Sequence, residues 1–233
     1  MDLFIVIAVV SAALVGGALW GAYGTLPRRL EGFLIAMAGG ALIVAVVDEL
    51  IKPASAQIDL PWLVPAVLAG AVVFVALDTW VDSRFGNDNG GGLLLAITLD
   101  GIPENLALGV ALISAGAPEV AALAGSIMLS NLPEAAGGAQ AMRKSGLSKI
   151  KTLGIWTATA AMLAAAAWAG NAFLQDVPPE ILALIRAFAA GAVVASLATE
   201  VFPKAYRQDS NQTGIAVTLG LILAFCLGTL GGA

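Results

Sequence analysis

The chain contains no histidine, a single cysteine and few charged residues, and each shortage excludes a class of function. Without histidine, the usual imidazole metal ligand and the usual acid–base group at neutral pH are both missing. Cys226 has no second thiol with which to form an intrachain disulfide or a thiolate cluster. Eleven basic residues within a net charge of -5 provide no basic surface, so we expect no nucleic-acid partner.

Apolar sequence is what the chain has in excess. Hydrophobic residues make up 59% of the 233 and the mean hydropathy is +0.92, outside the range of a soluble globular domain. A helix of about 20 apolar residues spans a bilayer. The sequence therefore predicts an all-α membrane protein, one domain over 1–233, with eight spanning helices at 3–23, 31–52, 62–81, 92–115, 118–141, 150–174, 180–203 and 213–231. The first segment carries Asp2 and no basic residue before its apolar run, so we expect a retained span and no cleaved signal.

Basic residues are distributed unevenly over the predicted loops. With the N-terminus outside, nine of them fall in inner loops and one in an outer loop, while Arg186 lies within a predicted span. Inner loops of membrane proteins are enriched in lysine and arginine, so this asymmetry predicts that both termini lie outside. The nine are Arg28, Arg29, Arg84, Arg143, Lys144, Lys149, Lys151, Lys204 and Arg207, and the one is Lys52.

Two successive predicted spans each carry a proline beside an acidic side chain. Pro103 and Pro133 lack a backbone N–H, which frees a carbonyl oxygen one turn earlier in each helix. An ionisable group at mid-membrane costs at least about 2.5 to 3.5 kcal/mol, so acidic residues at that depth indicate function. We therefore predict a cation site between these two helices, with the ligands Asp100, Glu104, Glu134, Asn131 and Ser130.

The second and seventh predicted spans form an internal repeat. Each contains a run of alanine and glycine, at 38–41 in the second span and at 189–192 in the seventh. In both spans acidic sequence and then a proline follow this run, Pro53 in the second and Pro203 in the seventh. These two spans run in opposite directions, as do the fourth and fifth. Inverted repeats of this kind, arranged here as 3+2+3, are the architecture of secondary transporters. Acidic side chains near helix ends are either solvated interfacial groups or parts of a gate or vestibule, and these are Asp48, Glu49, Asp78 and Glu200.

Together these features resemble the ZIP family of divalent metal transporters over nearly the whole chain. That family has eight helices, both termini outside, a His-Asn-x-Pro-Glu-Gly motif in the fourth helix and a related motif in the fifth. The two motifs stand here as Asp100-Gly101-Ile102-Pro103-Glu104-Asn105 and Ser130-Asn131-Leu132-Pro133-Glu134-Ala135. Aspartate replaces the first histidine and serine replaces the histidine or glutamine of the fifth helix, whereas the residues that match are Glu104, Asn131 and Glu134.

Other family features are missing from this chain. The sixth predicted span carries no carboxylate, which disfavours a second metal ligated from there. The histidine-rich inner loop is replaced by the glycine-rich stretch 82–92, which we predict to be a flexible linker. Within that stretch Asp82, Asn87 and Asp88 either collect metal weakly or have no role.

The resemblance implies an importer that carries zinc or a related ion (manganese, iron or cadmium) into the cytoplasm by alternating access. The metal is the substrate, and no cofactor is expected. An all-oxygen site is expected to be less selective for zinc than one with histidine. The expected partners are the lipid bilayer and a second copy in a homodimer, and the expected location is a prokaryotic inner membrane. Two other functions stay open: an intramembrane enzyme with paired carboxylates, of the aspartyl hydrolase type, and a homologue that does not transport.

Overall fold

The structure is a computed structural model that describes residues 2–85, 90–113 and 120–231, with the backbone alone for residues 2, 85, 90–97, 100, 230 and 231. Within these ranges the chain is helical apart from short connections and contains no strand, which confirms the predicted all-α class. The helices are α1 (Asp2–Tyr23), α2 (Arg28–Ser55), α3 (Leu60–Phe85), α4 (Gly90–Ala111), α5 (Ala121–Lys144), α6 (Lys149–Leu174), α7 (Pro179–Gln208) and α8 (Thr213–Gly231).

Length and surface composition identify the chain as a membrane protein. In the described part, α1, α2, α3, α6 and α7 are each long and apolar enough to cross a bilayer, and α8 is apolar but shorter. Large apolar side chains stay exposed along these helices, among them Trp62, Leu68, Val72 and Trp80 on α3. Soluble proteins rarely expose continuous apolar surface on this scale, whereas a lipid-facing helix requires it.

Two helices contain a wider, π-helical turn at matching places. In α2 this turn covers Val46–Ile51 and is followed by Pro53, and in α7 it covers Leu197–Val201 and is followed by Pro203. A π-helical turn holds one more residue than an α-helical turn, which rotates the side chains that follow it. The internal repeat in the sequence is therefore also a repeat in the backbone.

Glycine residues let pairs of helices come into backbone contact. A Cβ added at Gly40 of α2 would collide with the carbonyl oxygen of Val217 on α8, and one added at Gly191 of α7 would collide with that of Val67 on α3. Gly40 and Gly191 are equivalent positions of the sequence repeat. Small residues at such contacts drive helix association in lipid. The pairs α2 with α8 and α7 with α3 are thus built in the same way.

The remaining helices pair by the same rule. A Cβ at Gly21 of α1 would strike the carbonyl oxygen of Ala136 on α5, and one at Gly109 of α4 would strike that of Ala167 on α6. Helices α1, α4, α5 and α6 form a first helix group, and α2, α3, α7 and α8 form a second. The two groups meet where α2 and α8 pack on α5 and where α7 and α3 pack on α4.

Short connections determine which helices become antiparallel neighbours. Those at 24–27, 56–59, 145–148, 175–178 and 209–212 have four residues each. The Ser148 hydroxyl accepts a hydrogen bond from the Lys151 backbone N–H and so begins α6. The predicted flexible linker at 82–92 is shorter than expected, because α3 continues through Phe85 and α4 begins at Gly90; residues 86–89 lie outside the described ranges. Packing of α3 on α7 carries the helix beyond its apolar window.

Candidate metal sites

Three carboxylates converge between α3 and α7. Asp78 and Asp82 are one turn apart on α3, and Glu200 lies in the π-helical turn of α7. One oxygen from each of the three lies within 4.8 Å of the others. Asp78 is buried, and the other two are half-buried. We call these three residues the α3–α7 acid cluster.

The local sequence explains why these side chains meet. Gly70 and Gly191 each lie against a carbonyl oxygen of the facing helix, so the α3 and α7 backbones approach closely. Residues four apart share one helix face, which directs Asp78 and Asp82 to the same side. The proline at position 203 has no N–H for the carbonyl one turn before it, which adds a backbone acceptor close to the cluster.

Hydrogen bonds within the α3–α7 acid cluster do not pair all of its carboxylate oxygens. A hydrogen bond joins the carboxyl groups of Asp78 and Glu200, which requires a proton on one of them. Within the part of the chain that the structure describes, the buried Oδ1 of Asp82 has no hydrogen-bond partner. Like charges this close repel unless a proton or a cation lies between them. The oxygen set suits a hard or borderline divalent cation.

The predicted mid-membrane ligands lie on α4 and α5, which pack against each other. Glu104 is 5% exposed and Glu134 is 8% exposed, so neither carboxylate is an ordinary surface charge. Asn105, next to Glu104, donates a hydrogen bond from Nδ2 to the Gly101 carbonyl at 2.9 Å. The Asp100 side chain lies outside the described part of the structure, so its place in the site stays a prediction.

The two uncharged candidates on α5 differ in their hydrogen bonding. The Ser130 hydroxyl donates to the Ile127 carbonyl of its own helix at 3.1 Å, which satisfies its proton locally. The Asn131 amide Nδ2 is buried and has no hydrogen-bond partner among the described residues. Buried polar atoms are nearly always partnered by protein, water or a ligand. Of the two uncharged candidates, Asn131 is thus the better placed for a role in a site.

The chain matches no known family model and no curated protein. The residues themselves must therefore carry any functional argument.

The predicted gate residues fall into two separate places. Asp78 and Glu200 come together in the α3–α7 acid cluster. Near the end of α2, Oδ1 of Asp48 forms an ion pair with Nζ of Lys52 at 2.7 Å. The neighbouring Glu49 interacts electrostatically with Arg186. The two acids at that end thus each interact with a base, whereas among the described residues no base forms an ion pair within 4.0 Å of the cluster acids.

Sequence reasoning missed two features of this region. Asp82 was assigned to a linker, although its spacing of four residues from Asp78 indicated a shared helix face. Glu31 was not among the predicted site residues, although it is only 7% exposed and lies on a helix long enough to cross a membrane. A charged residue so buried in such a helix is itself a signal of function.

Proposed function

We propose that this chain is a divalent metal transporter similar to the ZIP family, and that it carries its substrate inward by alternating access. Buried carboxylates at two levels would take the ion in turn. Glu104, Glu134, Asn131 and the predicted ligand Asp100 form the mid-membrane position. The α3–α7 acid cluster forms a second position nearer the cytoplasm.

The observation that carries this proposal is the α3–α7 acid cluster itself. Three carboxylate oxygens within 4.8 Å of one another lie between two helices that are each long enough to cross a membrane. Intramembrane carboxylates are costly and mark ion pathways or proton relays. A divalent cation neutralises such a set and uses oxygen ligands from more than one helix.

The arrangement of the helices supports alternating access. Helix pairs α2 with α8 and α7 with α3 have equivalent glycine contacts, and so do α1 with α5 and α4 with α6. Transporters built from inverted repeats alternate by moving one helix group against another around a central site. Here the first helix group, with Glu104 and Glu134, would move against the second, with the α3–α7 acid cluster.

The proposal includes eight spanning helices, both termini outside, a prokaryotic inner membrane and a homodimer. Its topology is tested by labelling single cysteines in a Cys226→Ala background with a membrane-impermeant maleimide. Ala56→Cys should react from outside in intact cells, because the 56–59 connection is then external. Ser145→Cys should react only after the membrane is opened. The reverse pattern would invert the proposed topology and with it the direction of transport.

Metal uptake into proteoliposomes tests the function. The purified chain should accumulate Mn²⁺ or Zn²⁺ in sealed vesicles, and Asp78→Asn and Glu200→Gln should each lower the initial rate by about 10-fold or more. Asp59→Asn is the matched control, because Asp59 is an exposed acid in a connection at the other end of α3. If the protein is inserted and monodisperse but takes up neither ion faster than empty vesicles do, the transport function is wrong.

One observation favours a second candidate function. The hydrogen bond between Asp78 and Glu200 shares a proton between two carboxyl groups, which is also the arrangement of an acid–base pair in an aspartyl hydrolase. An intramembrane hydrolase needs that proton and no metal. Cleavage of a membrane peptide that persists in excess chelator and is lost in Asp78→Asn would favour this enzyme over the transporter.

A further inference from the structure

A polar cavity of about 430 Å³ opens at the end of the molecule where α2 begins and α5 and α7 end. In the proposed topology this end faces the cytoplasm. The charged side chains that line the cavity come from all three helices, and they are Arg28, Glu31, Lys144 and Lys204. The α3–α7 acid cluster is not part of its lining.

Glu31 forms the buried wall of this cavity. Its side chain rests on α5 at Gly137, where an added Cβ would collide with the Glu31 carboxylate. The residue is only 7% exposed, and within the described ranges its carboxylate forms no hydrogen bond or ion pair. A place in the first turn of α2 gives it some stabilisation from the helix dipole. That stabilisation would be available equally to an exposed acid, so it does not explain the burial.

The wall of the cavity on α5 lies close to the mid-membrane position. Glu134 precedes Gly137 by about one turn of α5, and the charges of Glu31 and Glu134 act on each other. Both carboxylates are more than nine-tenths buried. Two buried like charges on facing helices are stable together only if one of them takes up a proton or a positive charge lies near them.

Lys204 supplies a positive charge at this place. It lines the same cavity as Glu31, and its charge acts on Glu134 and on Glu200. Among the described residues, no carboxylate oxygen lies within 4.0 Å of its Nζ, so the ammonium group is near the acids without being paired to one. A lysine side chain has four flexible carbons and can move between such partners.

We propose that Glu31 is a release-side ligand for the transported divalent cation, and that Lys204 takes the place of this cation beside the carboxylates after the cation has left. This inference rests on the proposed function and adds a binding position to it. The cation passes from Glu134 to Glu31 along α5. The approach of the ammonium group then weakens the hold of the acids on the metal, which favours release into the cavity.

Two variants with opposite expected effects test this inference. Lys204→Met removes the competing charge, so equilibrium affinity for Mn²⁺ in detergent should rise about tenfold and the uptake rate at saturating Mn²⁺ should fall. Glu31→Gln removes the release-side ligand, so saturating uptake should fall about tenfold while affinity at the mid-membrane position stays within about twofold.

Matched controls separate these effects from general charge effects. Glu180→Gln changes an exposed acid in the first turn of α7, and Glu31 likewise lies in the first turn of α2. Lys151→Met changes an exposed lysine at the same predicted membrane face. Both should bind and transport Mn²⁺ as the unaltered chain does, and thermal unfolding of all four variants shows whether each is folded.

The outcomes distinguish this inference from the proposed function. If the unaltered chain transports Mn²⁺ but Lys204→Met has unchanged or lower affinity, the exchange with Lys204 is wrong. If the folded Glu31→Gln variant transports Mn²⁺ as well as Glu180→Gln does, Glu31 is not a metal ligand and only stabilises the N-terminus of α2. If the unaltered chain neither binds nor transports metal, the proposed function fails and this inference fails with it.

Discussion

Two of the contacts between the helix groups, α2 with α5 and α7 with α4, join helices that correspond in the repeat, yet their buried charges are opposite. At the α2–α5 contact, the buried charge is the Glu31 carboxylate against Gly137. At the α7–α4 contact, the buried charge is Arg186, which is 6% exposed and donates from Nη2 to the Val110 carbonyl at 3.2 Å. The repeat would make these contacts equivalent if backbone packing were all that mattered.

If the chain is the proposed transporter, the symmetry of its fold does not extend to the charges along the ion path. In the proposed topology the carboxylate lies on the cytoplasmic side, where it attracts a departing cation. The guanidinium lies on the outer side, where it repels cations and links α7 to the helix that carries Glu104. In the proposed transporter, the unlike charges would give the two ends different roles. Four predictions test this comparison, in order of decreasing effect.

The largest effect is expected from breaking the glycine contacts that the repeat shares, α2 with α8 and α7 with α3, which join helices of the second group. Gly40→Leu and Gly191→Leu each force a side chain into a facing backbone carbonyl, so each should lower the free energy of unfolding by about 3 kcal/mol or more. Gly154→Leu is the control, because an added Cβ at Gly154 meets no atom within 4 Å. Thermal unfolding and yield of monodisperse protein measure the effect. A well-folded Gly191→Leu protein would show that the α7–α3 contact is not equivalent to the α2–α8 contact.

The next effect concerns the site between the two contacts. Glu104→Ala and Glu134→Ala each remove a buried carboxylate from the mid-membrane position, so uptake should fall about 100-fold or more while the protein remains inserted. Initial rates in proteoliposomes, at matched protein content, provide the measurement, with the exposed Asp176→Ala as control. Uptake close to that of the unaltered chain in both variants would place the site elsewhere.

A smaller effect is expected at the outer contact. Arg186→Met removes a hydrogen bond from a charged group to Val110, which should cost about 2 kcal/mol of stability. It also removes a positive charge near the ion path, so Mn²⁺ affinity should rise several-fold. Arg186→Lys keeps the charge and should keep the affinity. Equal affinities for Arg186→Met and Arg186→Lys would show that the outer charge does not act on the site.

The smallest effect is expected from Asp48 of α2, a half-buried acid that is paired with an exposed lysine. Asp48→Asn breaks a 2.7 Å ion pair with Lys52, whose side chain is 69% exposed, and such pairs contribute at most about 1 kcal/mol. Uptake should therefore change less than twofold, in contrast to Asp78→Asn in the α3–α7 acid cluster. Parallel uptake assays of the two variants compare them directly. A loss in Asp48→Asn as large as in Asp78→Asn would make both ends of the repeat functional.

Part of the candidate site could be predicted from the sequence. Asp78 and Glu200 stood out as acids near helix ends, but nothing in their local sequence indicated that they lie together. The mid-membrane ligands were proposed from proline and acid spacing, and the structure shows Glu104 and Glu134 buried on adjacent helices. Asp82 was assigned to a linker because a glycine-rich stretch follows it, and the end of α3 is held in helical form by packing on α7.

The sequence by itself determined the membrane class, the helical fold and the internal repeat. These follow from composition, from the length of apolar runs and from recurring short motifs, all of which are local properties of the chain. Tertiary structure alone decided that Asp78 meets Glu200, that Glu31 rests on Gly137 and that Arg186 reaches Val110. Each of these contacts joins residues more than 70 positions apart, and glycine-mediated approach of helix backbones sets which side chains face each other.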